Sequence, residues 1–218
     1  MPHCQTFKQR IKELKIKAQN IEALLSEYVK TVDKKTEEKI DSLLKEIEEF
    51  KQEFKTQATQ LIEEFVQRRE NKYKKVEIIF DEKDCRFIIN GDLNFSSRTH
   101  LDDFPNLIKE IIGYFNADNA QTINLPNLKE VGKFFWVHAQ AQTINLPNLE
   151  KIGGNFYAGE VQTINLPNIK EIGGDIHFHE NNSNLNSLIE VAREWREKGI
   201  LKGKIKISDK EGNLVQEF

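Results

Sequence analysis

The sequence predicts an α+β protein in two parts, an N-terminal α-helical coiled-coil hairpin followed by a short, capped β-solenoid. Three observations carry that prediction. The string Gln121-Thr-Ile-Asn-Leu-Pro-Asn-Leu128 is written again at Gln142–Leu149 and, with Ile for the last Leu, at Gln162–Ile169, so that Pro126, Pro147 and Pro167 recur after 21 and then 20 residues. A fixed period in this range makes each repeat one coil, which buries its apolar edge only against its neighbours. The composition also shifts near residue 75: all eleven glycines and four of the five prolines lie beyond it. Ahead of that point the apolar residues recur at helical spacing. Residues 1–75 are therefore assigned to a helical stalk and 76–218 to the solenoid, with 76–100 as its N-terminal cap, 101–180 as the repeats and 181–218 as a helix-and-hairpin C-terminal cap.

Along the stalk, Ile11, Leu14, Ala18, Ile21, Leu25, Tyr28 and Val32 alternate steps of three and four, the a/d seam of a coiled coil. A second series, Ile40, Leu43, Ile47, Phe50, Phe54, Ala58, Leu61 and Phe65, runs one residue out of phase with the first. Between them Asp33-Lys-Lys-Thr-Glu-Glu-Lys39 contains no apolar residue. Two arrangements satisfy this pattern. Either the chain turns back, with Asp33 or Thr36 capping a second helix, or one helix of about 60 residues continues through a skip and pairs with another chain. The polar gap removes two layers from a continuous seam, which favours the hairpin. Leu24, Leu44, Ile62 and Val66 widen the stripe beyond a strict seam, which points to more than one neighbour and to self-association through the stalk.

The net charge of −3 is uneven: residues 1–75 hold 17 Lys/Arg against 14 Asp/Glu, and the remainder 15 against 21. Neither half is charged strongly enough to imply nucleic acid by itself. Two basic clusters, Lys8, Arg10, Lys12, Lys15, Lys17 and Arg68, Arg69, Lys72, Lys74, Lys75, would come together at the open end of a hairpin. They define an alternative function, an accessory protein on nucleic acid or another anionic partner. Few aromatics are interleaved for base stacking, and a solvated helix face accounts for the same residues.

Val76–Phe80 and Arg86–Asn90 are short β-type runs joined by Asp81-Glu-Lys-Asp84, and they read as a hairpin. Asn90-Gly91 turns the chain into a further strand at Asp92–Phe95. Such a lid is needed because an open solenoid end exposes backbone donors and apolar edge. Leu101–Gly113 reads as a degenerate first repeat, with Phe104-Pro-Asn-Leu107 in place of Leu-Pro-Asn-Leu, Ile112-Gly113 in place of Val131-Gly132, and an insertion within Ile108–Ile111 long enough for a helical turn. At the other end Asn182–Ser187 supplies helix-capping residues. Leu188, Val191, Ala192 and Trp195 then form an amphipathic helix that stops at Gly199, and Leu201–Ile207 and Leu214–Phe218 bracket a hairpin turn.

Within a repeat, Ile123/Ile144/Ile164 and Leu125/Leu146/Leu166 alternate with Asn and point inward. Leu128/Leu149/Ile169 and Val131/Ile152/Ile172 fill the corner, and Gly153-Gly154 and Gly173-Gly174 permit a tight bend into a second strand. That strand places Phe115, Phe135, Phe156 and Ile176 in one inward column and Ala117, Val137, Ala158 and Phe178 in the next. The carrying residues Leu125-Pro-Asn-Leu128…Val131-Gly132, Leu146-Pro-Asn-Leu149…Ile152-Gly-Gly154 and Leu166-Pro-Asn-Ile169…Ile172-Gly-Gly174 resemble leucine-rich repeats of the short bacterial kind, in particular the L-domain β-solenoids of receptor ectodomains. That resemblance covers about residues 101–180 and implies a right-handed solenoid that binds protein partners. Lys133 departs from it, standing where the later repeats have Gly.

The outward positions fall into two sets. Thr122/Thr143/Thr163 and Asn124/Asn145/Asn165 are identical in every coil and suit side-chain ladders. On the second strand the outward residues diverge while the framework stays fixed, as a surface that carries specificity would. The candidate partner-binding residues are Phe134, Trp136, His138, Tyr157, His177 and His179. A metal site from His138, His177 and His179 is not expected, because Gly159 intervenes and two coils separate the first imidazole from the others by roughly 10 Å. No nucleophile has a base at motif spacing and no phosphate loop is present, so neither catalysis nor a cofactor is expected. Cys4 and Cys85 read as free thiols of a reducing compartment. Met1–Arg10 lacks the apolar core of a signal peptide and no run is long enough for a membrane span. The expectation is a cytoplasmic, non-enzymatic protein-interaction or scaffold module that takes a protein partner.

Overall fold

The computed structural model describes residues 34–67, 76–96, 101, 104–137 and 142–218. The chain divides into two units, Met1–Phe54 and Lys55–Phe218. Helix α1 (Lys34–Gln67) spans 34 residues and contributes to both. It starts inside the polar stretch Asp33–Lys39. The two arrangements weighed for the stalk differ upstream of residue 34, outside the described residues. Within the first unit the Phe50 and Phe54 rings lie 6.3 Å apart, and the exposed pairs Lys45–Glu49 and Lys51–Glu48 sit at one-turn spacing.

The second half of α1 belongs to the solenoid unit, whereas the sequence places the change of organisation at residue 75. Ala58, Ile62, Phe65 and Val66 are buried. Phe65 meets Phe95 at 5.3 Å and Phe104 at 5.5 Å. Leu61, expected on the a/d seam, is 51% exposed, and Ile62 beside it is 0% exposed. The steps 58, 62, 65/66 follow the 3.6-residue period of a helix packed on a globular core rather than a 3.5-residue seam. The N-terminal end of the solenoid is thus closed by helix as well as by hairpin.

Strands β1 (Glu77–Asp81) and β2 (Arg86–Asn90) form the expected antiparallel hairpin. Lys109 ties its turn down through Asp81 and Asp84. Strand β3 (Leu93–Asn94) follows, and then four coils. The first has β4 (Ile108–Ile111), β5 (Phe115–Asn116) and β6 (Thr122–Asn124). The second has β7 (Glu130–Val131), β8 (Phe135–Trp136) and β9 (Thr143–Asn145). The third has β10 (Lys151–Ile152), β11 (Phe156–Tyr157) and β12 (Thr163–Asn165). The fourth has β13 (Glu171–Ile172) and β14 (Ile176–His179), and helix α2 (Leu185–Glu197) takes the place of its third strand. Strands β15 (Ile205–Ser208) and β16 (Leu214–Glu217) close the chain.

Stacking the coils gives three sheets, ordered β1-β2-β4-β7-β10-β13, β16-β15-β14-β11-β8-β5-β3 and β12-β9-β6. All pairings are parallel except those of the two terminal hairpins. The inward columns Phe115, Phe135, Phe156 and Ile176, and Val131, Ile152 and Ile172, are those the repeats specify and are fully buried. The first coil departs from expectation: Ile108–Ile111 is strand rather than a helical turn, and Ile111, not Ile112, stands in register with Val131, leaving Ile112 40% exposed. Fully burying one such side chain contributes about 1.5–3 kcal/mol. The Phe115, Phe135 and Phe156 rings continue upward the cluster begun by Phe65 and Phe95, at 5.9, 5.0 and 5.7 Å.

The glycines at the corner have a different reason from the bend expected of them. None of Gly132, Gly153 and Gly173 has a positive φ. Each instead lies against the carbonyl of the coil beneath: a Cβ on Gly153 would sit 2.0 Å from the Gly132 oxygen, and one on Gly173 would sit 2.4 Å from the Gly153 oxygen. Backbone stacks on backbone there with no room for a side chain.

At the C-terminal cap, α2 buries Leu188, Ile189, Ala192 and Trp195; Val191, expected on that face, is half-buried. The helix stops where Gly199 adopts φ +71°, with Ile200 N–H returning to the Trp195 carbonyl at 2.7 Å. Asn182 is buried and closes the last coil, donating to the Gly159 and Val161 carbonyls at 3.1 and 2.8 Å while its Oδ1 accepts from Asn184 N–H. No helix among the described residues is long and apolar enough to cross a membrane.

Candidate partner-binding surface

Because residues 115, 135, 156, 176 and 205 point inward, the residue after each points outward. Strands β5, β8, β11, β14 and β15 thereby set Asn116, Trp136, Tyr157, His177 and Lys206 in register, one per rung. Parallel strands are spaced about 4.8 Å apart, close to the separation of stacked rings. Trp136 and Tyr157 accordingly stack at 4.3 Å and 26°, and Tyr157 and His177 at 4.5 Å and 25°. All three are half-buried and packed on one another. Phe134 stands one turn position earlier, stacked on Tyr114 at 4.6 Å and edge-on to Trp136 and Tyr157.

Polar neighbours fix the ladder. Trp136 Nε1 donates to Asp118 Oδ1 at 3.2 Å, and Asn155 Nδ2 donates to the Tyr157 hydroxyl at 2.9 Å. Lys206 pairs with Asp175 at 2.6 Å. Burial opposes ionisation of Asp175, but the Lys206 ammonium and the Lys204 N–H outweigh it and hold the carboxyl below its ordinary range. Burial, reinforced by Lys206 and only partly offset by Asp175, pushes the His177 imidazole down, so it stays neutral at pH 7. Its Nε2 is buried without a hydrogen-bond partner.

Beside the ladder lies a groove of about 380 Å³, lined by Trp136, Tyr157, Gly159, His177, Lys206 and, from the C-terminal hairpin, Ser208, Gly212 and Leu214. Of the residues singled out in the sequence, Phe134, Trp136, Tyr157 and His177 come together here. His179 does not join that exposed face: it is 2% exposed, and its Nδ1 accepts from Asn181 N–H at 3.4 Å. His138 and the basic cluster Arg68, Arg69, Lys72, Lys74 and Lys75 lie outside the described residues. Among the described residues no group of three or more His, Cys, Asp or Glu is arranged to hold a metal ion.

Sequence reasoning missed Tyr114, Lys206 and Leu214. Tyr114 was legible, since it aligns with Phe134 one residue before the inward Phe. Lys206 and Leu214 come after α2, outside the repeat. The only signal for Lys206 is that Ile205-Lys-Ile-Ser208 keeps the in-out alternation of Ile176-His-Phe-His179.

The other two faces have different chemistry. On the third sheet Asn145 Nδ2 donates to Asn124 Oδ1 at 3.0 Å and Asn165 Nδ2 to Asn145 Oδ1 at 2.7 Å, the ladder that identical rows suggest. The Asn of each Leu-Pro-Asn also binds the coil below: Asn148 donates to the Pro126 carbonyl and Asn168 to that of Pro147. The first sheet is charged, with Lys151 on Glu130 and Lys170 on Glu150 at 3.0 and 2.5 Å. Burial, and then the neighbouring Glu130, raises the Glu110 carboxyl.

No protein-family model matches the chain, and neither the curated proteins nor the solved structures give a match to it.

Proposed function

We propose that the chain is a non-enzymatic protein-interaction or scaffold module, in which an N-terminal coiled-coil stalk presents a right-handed solenoid of the leucine-rich-repeat, L-domain-like type. The repeated Leu-Pro-Asn-Leu…Ile-Gly-Gly string supports the repeat type, and the a/d spacing of residues 11–54 supports the stalk. One observation carries the function. Of the three solenoid faces, two spend their side chains on regular ladders of amides or ion pairs, while the second sheet varies from coil to coil and lines a groove with Trp136, Tyr157, His177 and Leu214. Aromatic residues beside a concavity are the composition of an interface core.

The test is affinity capture from the native host, read by mass spectrometry, with the unaltered chain and with Leu214→Arg. Leu214 is 58% exposed, so the substitution obstructs the groove with a stability change within about 0.5 kcal/mol. The proposal expects a specific partner that is lost from the variant. A partner captured equally by both would place recognition elsewhere.

A further inference from the structure

The C-terminal hairpin leaves one strand of the second sheet open. β16 ends that sheet, and no described strand pairs with its outer side. All four of its residues are exposed, including Leu214 at 58% and Val215 at 54%. Phe218 exchanges both backbone hydrogen bonds with Ile205 of β15, at 2.9 and 3.2 Å. By strand alternation the N–H and C=O of Glu217 therefore face outward. β16 is short, four residues, and its pairing with β15 shifts register at Ile207/Ser208, but it carries neither the Pro nor the Lys that blunts many edge strands, and its one charged side chain, Glu217, is engaged by Lys204 at 2.5 Å. Leu214 belongs both to this edge and to the groove beside the aromatic ladder.

We propose that β16 accepts an extended segment of a partner protein as an added strand of the second sheet, with an aromatic side chain of that segment laid into the groove. The inference rests on the protein-binding reading above and names its mode. Trp136, Tyr157 and His177 line the groove with their faces taken up by stacking on one another, which leaves ring edges, the positive side of the aromatic quadrupole, to attract the negative face of another ring. Backbone pairing supplies affinity and the groove supplies selectivity, the division of labour in strand addition. A second copy of this chain fits less well. Pairing two four-residue edges buries far less than the roughly 1,000 Å² that a stable interface needs. Residues 76–218 also carry 21 Asp/Glu against 15 Lys/Arg, so two copies repel each other while a basic segment is attracted and a neutral one is not repelled.

The experiment pans a phage-displayed library of random 12-residue peptides on the full chain and measures an enriched peptide by fluorescence polarisation. Enriched peptides should share an aromatic residue in a β-prone, non-acidic stretch. Replacing that aromatic by Ala should weaken binding about tenfold, as should Glu217→Pro in the protein, which removes one outward donor at a place where an edge strand tolerates proline. Glu217→Gln keeps the donor and should bind as the unaltered chain does. Should Glu217→Pro unfold, N-methylation of alternate backbone amides of the peptide, which removes the donors a paired strand uses, decides: strand addition expects the same loss, and full binding overturns it. No enrichment, or binding indifferent to both Glu217→Pro and Leu214→Arg, overturns strand addition. A native partner lost on Leu214→Arg but held by a folded Glu217→Pro variant would keep the binding surface and refute only its mode.

Discussion

On the third sheet, Asn124, Asn145 and Asn165 stand in register and hydrogen-bond to one another; on the second, Trp136, Tyr157 and His177 stand in register and stack. Both ladders are built on the same rung spacing, and both consume what their side chains offer best. The amides use a donor of each rung on an acceptor of the next, leaving an even, solvated row. The rings use their faces, but leave edges, a groove and a neighbouring hairpin. Identity between coils thus produces a self-satisfied surface, and divergence produces a surface with somewhere for another molecule to go.

The largest effects should come from the framework that both faces share. Phe156→Ala removes a fully buried ring between Phe135 and Ile176 and should cost about 3–5 kcal/mol in denaturant unfolding. Gly153→Ala forces a Cβ onto the Gly132 carbonyl and should cost about 3 kcal/mol, lowering the melting temperature by roughly 10 °C. If Gly153→Ala is instead neutral, the corner is not the backbone-on-backbone contact described.

Smaller changes should separate the two faces. Tyr157→Ala breaks two stacks and should cost about 2 kcal/mol, whereas Tyr157→Phe, which loses only the hydroxyl held by Asn155, should cost under about 1 kcal/mol. Acid should also weaken the aromatic face selectively. The folded chain resists protonating His177, so the unfolded chain takes up that proton first. Stability is then complete above the ordinary imidazole value of 6.5 and declines as pH falls below it. The melting temperature should be lower at pH 5.5 than at pH 7.5, and His177→Gln should reduce that difference; equal differences would clear His177 of the effect. The paired carboxylates Asp81, Glu150, Asp175 and Asp209 are held low and lose their contribution only below this window. The smallest effect is expected on the constant face, where Asn145→Ala should cost under about 1 kcal/mol because its partners turn to water.

Much of this was legible in the repeats. Apolar residues at Ile123, Leu125, Leu128, Val131 and Phe135 fix which side of each short strand faces in, and the matched rows announced the Asn ladder. What escaped depends on the relation between coils or on residues outside the repeat. That a glycine is required by the coil beneath rather than by its own φ is invisible in one repeat. The exchange of Leu61 for Ile62 needed the solenoid end on which α1 packs. His179 looked like a surface residue by alternation alone, and its burial depends on its setting in the fourth coil. The groove needed Lys206 and Leu214, which fold in from beyond α2.

The central claim is that recognition belongs to the varying face and not to the constant one. It is tested most directly by measuring the affinity of the captured native partner, by biolayer interferometry, for two variants of matched stability: Leu214→Arg beside the aromatic ladder, and Asn124→Ala with Asn165→Ala on the amide ladder. The account predicts a loss of about tenfold or more for the first and no change for the second. Loss of binding with the amide variant and full binding with Leu214→Arg would contradict it.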